Sequence, residues 1–110
     1  MLEALWSVEF VSNVQGFGSG IVVLETGRVL GGDAQYFYVG SYSFENGTAN
    51  ATITINHFAG PPNTVFGQAK SVTLNFSGKP AHDKFELQGS VAGNPSLTIG
   101  VRFTRRAELP

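Results

Sequence analysis

The chain has no cysteine in its 110 residues, which removes disulfides, thiolate metal sites and cysteine nucleophiles together. That absence fits a reducing compartment and excludes every enzyme class that needs a thiol. A surplus of charge is missing too. Seven Lys and Arg against eight Asp and Glu leave a formal net charge of -1, so no overall field attracts nucleic acid or an anionic membrane. No apolar run exceeds four residues, as at Ile21 to Leu24, against the roughly 20 that a spanning helix requires. The amino terminus lacks the basic stretch and apolar stretch of a secretory signal. Helical periodicity is scarce as well: wherever apolar residues recur at helical spacing, Gly or Pro interrupts them within three turns. The expectation is a cytoplasmic protein with no membrane segment.

What is present favours sheet. Fourteen Gly and nine Phe accompany abundant Thr, Val, Ile and Ser, and β-branched and aromatic side chains suit a pleated surface while Gly serves its turns. The segment from Gly27 to Phe44 displays the pattern best. A short strand, Arg28 to Leu30, is expected to break at Gly31-Gly32-Asp33. A second, Ala34 to Glu45, places Tyr36, Tyr38, Tyr42 and Phe44 on one face with Gly40 in the same row. Phe37 and Val39 lie on the other face. Asn46-Gly47 is a hairpin signal, because both residues tolerate the left-handed conformation of a type I′ turn.

The remaining segments alternate similarly. Leu5 to Ser12 turns Trp6, Val8 and Phe10 inward; Phe17 to Glu25 follows; and Thr48 to Phe58 puts Ala51, Ile53, Ile55 and His57 opposite Asn50, Thr52, Thr54 and Asn56. Pro61-Pro62 makes Ala59 to Ala69 a loop over one end of the sheet. Three further strands carry Val72, Leu74 and Phe76, then Phe85, Leu87 and Val91, then Leu97, Ile99, Val101 and Phe103 inward. Eight consecutive strands, each with an apolar face and mostly short turns, predict one all-β domain over residues 1–110. Its architecture is expected to be a small antiparallel up-and-down barrel of the lipocalin-like kind, with a two-sheet sandwich as the alternative.

Several stretches carry a family resemblance. Leu5-Trp6-Ser7-Val8-Glu9-Phe10, Gly18-Ser19-Gly20-Ile21-Val22-Val23-Leu24, Gly27-Arg28-Val29-Leu30-Gly31-Gly32-Asp33 and Tyr38-Val39-Gly40 resemble the GrlR-like negative regulators of type III secretion. The resemblance covers most of the chain and is firmest at Gly31-Gly32-Asp33. It implies a homodimeric barrel with an apolar interior, no enzymatic activity, and a function of binding and silencing a transcriptional activator without touching DNA. In that family, partner recognition is associated with an acidic run in the hairpin matching Glu45-Asn46-Gly47-Thr48, where Glu45 is the one charged residue here.

Candidate sites follow from the alternation. Phe37 and Val39, with Ile21 and Val23 or else Val22 and Leu24, should form an outer apolar patch that the later strands lack. Such a patch usually marks an interface, so a homodimer is expected through it, with Glu45 and Asn46 as the partner hairpin. Trp6, Phe10, Tyr36, Tyr38, Tyr42 and His57 could line a cavity for a small apolar ligand, or simply form the core. His57 and His82 offer no metal-ligand spacing, no cofactor is implied, and no serine, histidine and acid fall together as a catalytic set. Gly16-Phe17-Gly18-Ser19-Gly20 lacks the lysine and following helix of a phosphate loop and is expected to be a flexible turn. Asn46-Gly47-Thr48, Asn50-Ala51-Thr52 and Asn75-Phe76-Ser77 match glycosylation acceptors by chance. Arg102, Arg105 and Arg106 are expected to solubilise the last strand.

Overall fold

A computed structural model describes residues 2–13, 17–62, 64 and 70–110, with nothing said of the Phe17 side chain. The alternating segments form strands β1 Ala4–Ser12, β2 Phe17–Glu25, β3 Arg28–Gly32, β4 Tyr36–Glu45, β5 Thr48–His57, β6 Ser71–Gly78, β7 Lys84–Val91 and β8 Asn94–Ala107. Each pairs antiparallel with the next, and β1 pairs with β8 to close the barrel. That last ladder decides against the sandwich. Among the described residues there is no helix.

Closure turns one side of every strand into the core. Trp6, Val8, Val22, Leu24, Val29, Tyr36, Tyr38, Ala51, Ile53, Leu74, Phe76, Phe85, Leu87, Ile99, Val101 and Phe103 are buried together. The inner layer thus draws on every strand, and its burial supplies the main driving force for folding. The turns match their residues. Asn46 and Gly47 have φ of 54° and 79°, and Thr26 and Gly27 have 53° and 77°, the doubly positive pattern of type I′ hairpins.

Four expectations need correction. The ladder does not break at Gly31-Gly32: both residues pair with β4, and also with β2. A Cβ on Gly31 would lie 2.0 Å from the Ile21 carbonyl oxygen, so the glycine marks a close approach of two strands rather than their end. The break comes later, at Asp33, whose Oδ1 accepts the Gln35 and Tyr36 amides at 2.8 Å each, and β4 begins at Tyr36. Gly18 and Gly20 do not belong to a flexible turn. They are paired with Phe10 and Val8 in β2, and a Cβ there would meet the Phe10 ring or the Tyr38 hydroxyl at 2.6 Å. The aromatic rings fill the space that these glycines leave. Phe44 keeps its inward phase but lies at the rim, 41% exposed. The part of the expected turn and loops at residues 14–16, 63 and 65–69 lies outside the described residues.

Candidate functional site

The outer surface of β2, β3 and β4 is built by register. Ile21 and Val23 face outward, while Val22 and Leu24 are buried. Leu30 stands opposite both Val23 and Val39, and Gly32 stands opposite both Ile21 and Phe37. These cross-strand pairs join into one surface. Ile21, Leu30, Phe37 and Val39 each remain 41–45% exposed. Phe58, just after β5, extends the patch with its ring 6.3 Å from that of Phe37. Of the expected interface residues, Ile21, Val23, Phe37 and Val39 are brought together here. Leu30 and Phe58 are additions that the sequence reading did not single out, although Leu30 alternates in phase with Arg28. Glu45 and Asn46 are exposed on the β4–β5 hairpin beside Phe44, away from the Phe37–Phe58 end of the patch.

The patch stops at β5. The row through Val23, Leu30 and Val39 continues into Thr54 and then Thr73, whose hydroxyls bond at 2.9 Å. Beside them Thr52 Oγ1 donates to Asn75 Oδ1 at 2.9 Å, and Ser71 Oγ donates to Asn56 Oδ1 at 3.2 Å. On β7 and β8, Arg102 Nη2 donates to Glu86 Oε2 at 3.5 Å. These side chains satisfy one another on the surface and leave no apolar continuation.

The interior candidates divide between the two ends of the barrel. Trp6 is fully buried, its ring edge-on to Phe85 and Phe103 at 5.0 and 6.1 Å, and Phe85 and Phe103 stack at 4.7 Å. Trp6 Nε1 donates to the Leu2 carbonyl at 2.9 Å, which satisfies the indole without solvent. Over this cluster lies Arg105, whose guanidinium carbon is 4.9 Å from the Trp6 ring centre. Its Nε donates to the His82 carbonyl at 2.7 Å and its Nη1 to Glu108 Oε1 at 3.3 Å.

Arg105 therefore closes this end, with 10% of its side chain exposed, instead of solubilising a strand as expected. It continues the inward row of Ile99, Val101 and Phe103, and alternation alone would have found it. Arg106, the next residue in the alternation, lies outside where the register shifts between Leu5 and Trp6, donating through Nε to Ser7 Oγ at 2.7 Å. Tyr42 belongs to this half. Burial pushes its hydroxyl upward in pKa, a backbone bond with Gly27 pulls it down, and the charge of Glu3 adds to the rise.

At the opposite end Tyr38 donates its hydroxyl to Asp33 Oδ2 at 2.5 Å. Burial, followed by that hydrogen bond and the carboxylate charge, holds the hydroxyl well above its ordinary range and keeps it neutral. Phe10 packs edge-on to Tyr38 at 6.5 Å, and Tyr36 edge-on to His57 at 5.4 Å. His57 is a rim residue, donating through Nε2 to the Gly60 carbonyl at 2.5 Å. The six candidates thus form no single lining: Trp6 and Tyr42 lie toward one end, and Phe10, Tyr36, Tyr38 and His57 toward the other. The sequence pattern did not pair Asp33 with Tyr38, although an Asp entering a turn before a strand is a local signal for such an acceptor.

Among the described residues, no three His, Asp or Glu side chains are grouped to hold a metal ion. Among the same residues no helix is long and apolar enough to cross a membrane. No protein-family model matches the chain, and no curated protein matches it.

Proposed function

We propose that the chain is a non-enzymatic interaction protein that pairs with a second copy of itself through the outer face of β2–β4. The observation that carries this reading is the clustering of Ile21, Leu30, Phe37, Val39 and Phe58 in one sector, with Val11 on β1 and Phe44 at the hairpin as the other large exposed apolar side chains among the described residues. Ile21, Val23, Leu30, Phe37 and Val39 adjoin by register, and a self-complementary face of this kind suits a two-fold dimer. The hairpin at Phe44, Glu45 and Asn46 is exposed and projects from the opposite end to Phe58, so it stays available to another protein. The resemblance to the GrlR-like regulators supports a transcriptional regulator as that protein.

The non-enzymatic reading draws on how the candidate groups are committed. Asp33 uses both oxygens on its own turn and on Tyr38. His57 bonds the Gly60 carbonyl, and exposed His82 bonds Asp83 through Nδ1 at 2.7 Å. Retention of a transcriptional regulator from native lysate by the immobilised protein tests the partner. The expected result is capture that Phe44→Ala and Glu45→Lys abolish while Thr73→Asp leaves it intact. Capture indifferent to the hairpin would overturn that assignment.

A further inference from the structure

Asparagine occurs in several settings along the chain, and the fold treats one of them differently. Asn50, Asn56 and Asn75 lie within strands paired on both sides, so the amide that follows each is fixed in a ladder. Asn13 is tied at both ends of its side chain, donating through Nδ2 to the Ser96 carbonyl at 2.9 Å and accepting the Thr98 amide on Oδ1 at 3.0 Å. Asn94 precedes Pro95, which has no amide hydrogen. Asn46 is exposed, makes no side-chain hydrogen bond to another described residue, and is followed by Gly47. We infer that Asn46 is a site of spontaneous deamidation, which turns the neutral tip of the β4–β5 hairpin into a carboxylate.

The hairpin supplies the freedom that the reaction needs. β3 makes its last pair with β4 at Ser41, followed by the Tyr42 amide bond to the Gly27 carbonyl, and β6 joins β5 only from Ala49. Beyond those points Glu45 and Thr48 pair with each other alone. A tip held by one cross-strand pair opens at lower cost than the barrel beneath it. A Cβ placed on Gly47 would meet nothing within 4 Å, so no neighbour blocks its nitrogen from swinging toward the Asn46 side chain. In the opened tip the Gly47 nitrogen attacks Asn46 Cγ. The N–Cγ bond forms, the Cγ–Nδ2 bond breaks, and ammonia leaves with the proton from Gly47. Water then opens the cyclic imide. Cleavage at Cγ gives aspartate, cleavage at the main-chain carbonyl gives isoaspartate, and neither route involves an oxidant or reductant.

The two products affect the turn differently. Aspartate tolerates the left-handed conformation that Asn46 holds at φ 54°, so the hairpin stays and one negative charge is added beside Glu45 to a formal net charge of -1. Isoaspartate inserts a methylene into the main chain, which a two-residue loop cannot absorb without losing the Glu45–Thr48 pair. Conversion thus changes, with age, the surface offered to the proposed partner; only that consequence rests on the partner reading.

The intact chain is incubated at physiological temperature and mildly alkaline pH, native and in urea, and mapped by peptide mass spectrometry with chromatographic separation of aspartate from isoaspartate. The expected result is exchange of ammonia for water at Asn46 in the native protein, at a rate within about tenfold of that in urea, with Asn13, Asn50, Asn56 and Asn75 unchanged. Gly47→Ala should slow conversion at least about tenfold, because the added methyl hinders the attacking nitrogen. If Gly47→Ala fails to fold, the map of the unaltered protein decides. Native Asn46 left intact while the urea sample converts, or conversion led by another described asparagine, would overturn the proposal. The mass map reads the site and capture by Asn46→Asp reads the partner, so failure of one is told from failure of the other.

Discussion

Strands β2–β4 and β5–β6 are neighbours in one continuous sheet, and a single row of outward residues crosses from one group to the other. It reads Val23, Leu30 and Val39, then Thr54 and Thr73. On the inner side the same strands are alike, with Val22, Val29 and Tyr38 on one part and Ile53 and Leu74 on the other, all buried. The difference shows that folding accounts for the inner side everywhere and for the outer side only in part. A barrel of this topology closes equally well with Thr or with Val facing water, as β5 and β6 demonstrate. The apolar exterior of β2–β4 is therefore not required by the fold, and the proposed pairing of two copies gives it a role.

The inner equivalence should appear as the largest effects. Leu74→Ala in β6 is expected to cost about 3 kcal/mol, and Val29→Ala in β3 about 2 kcal/mol, by urea unfolding, because each empties a fully packed position. A negligible effect in either half would break the equivalence. The outer contrast comes next. Leu30→Asp should weaken self-association about 100-fold, since a charge would be buried in the shared face. Thr73→Asp, on the same row, should change it less than about threefold, read from the concentration dependence of sedimentation.

Two arginines of β8 repeat the inside-outside contrast. Arg105→Ala loses its contact over Trp6 and its bond to the His82 carbonyl, for an expected loss of about 2 kcal/mol. Arg102→Ala removes only a surface pair with Glu86 and should cost about 0.5 kcal/mol or less.

Tyr38→Phe is expected to lower stability by about 1 kcal/mol near neutral pH through the lost bond to Asp33. The pH dependence has a definite sign. Because the folded pKa of Tyr38 is raised above its ordinary 10.0, the native state holds its proton longer than the unfolded chain. The associated stability is present below pH 10 and falls as pH rises beyond it. Alkaline unfolding of the wild type should therefore be steeper than that of Tyr38→Phe. The smallest effect belongs to the polar exterior: Thr52→Val, which breaks the exposed bond to Asn75, should shift stability by no more than about 0.5 kcal/mol.

Alternation made most of this architecture legible, because a period of two is imposed by strand geometry on every residue with a side chain to signal its face. The signal faded in identifiable places. Gly18 and Gly20 carry no side chain, so their inward phase was invisible until Phe10 and Tyr38 were seen to fill the space. Arg105 lay in the inward row, but its charge outweighed its phase; an aromatic ring beneath it and a carbonyl beside it offset the cost of burial. Phe44 had the right phase and the wrong depth, since alternation does not report how near a residue lies to the barrel rim. The outer patch was legible as two pairs of residues, and only the register added Leu30 between them. The proposed pairing is not written in local pattern at all, because complementarity is a property of two surfaces.

Sedimentation equilibrium of the unaltered protein, from low micromolar to near-millimolar concentration, tests the central claim most directly. The account predicts a monomer–dimer equilibrium that Leu30→Asp shifts to monomer while unfolding stability is retained. A monomer throughout that range, or a dimer untouched by Leu30→Asp and lost with Thr73→Asp, would contradict it.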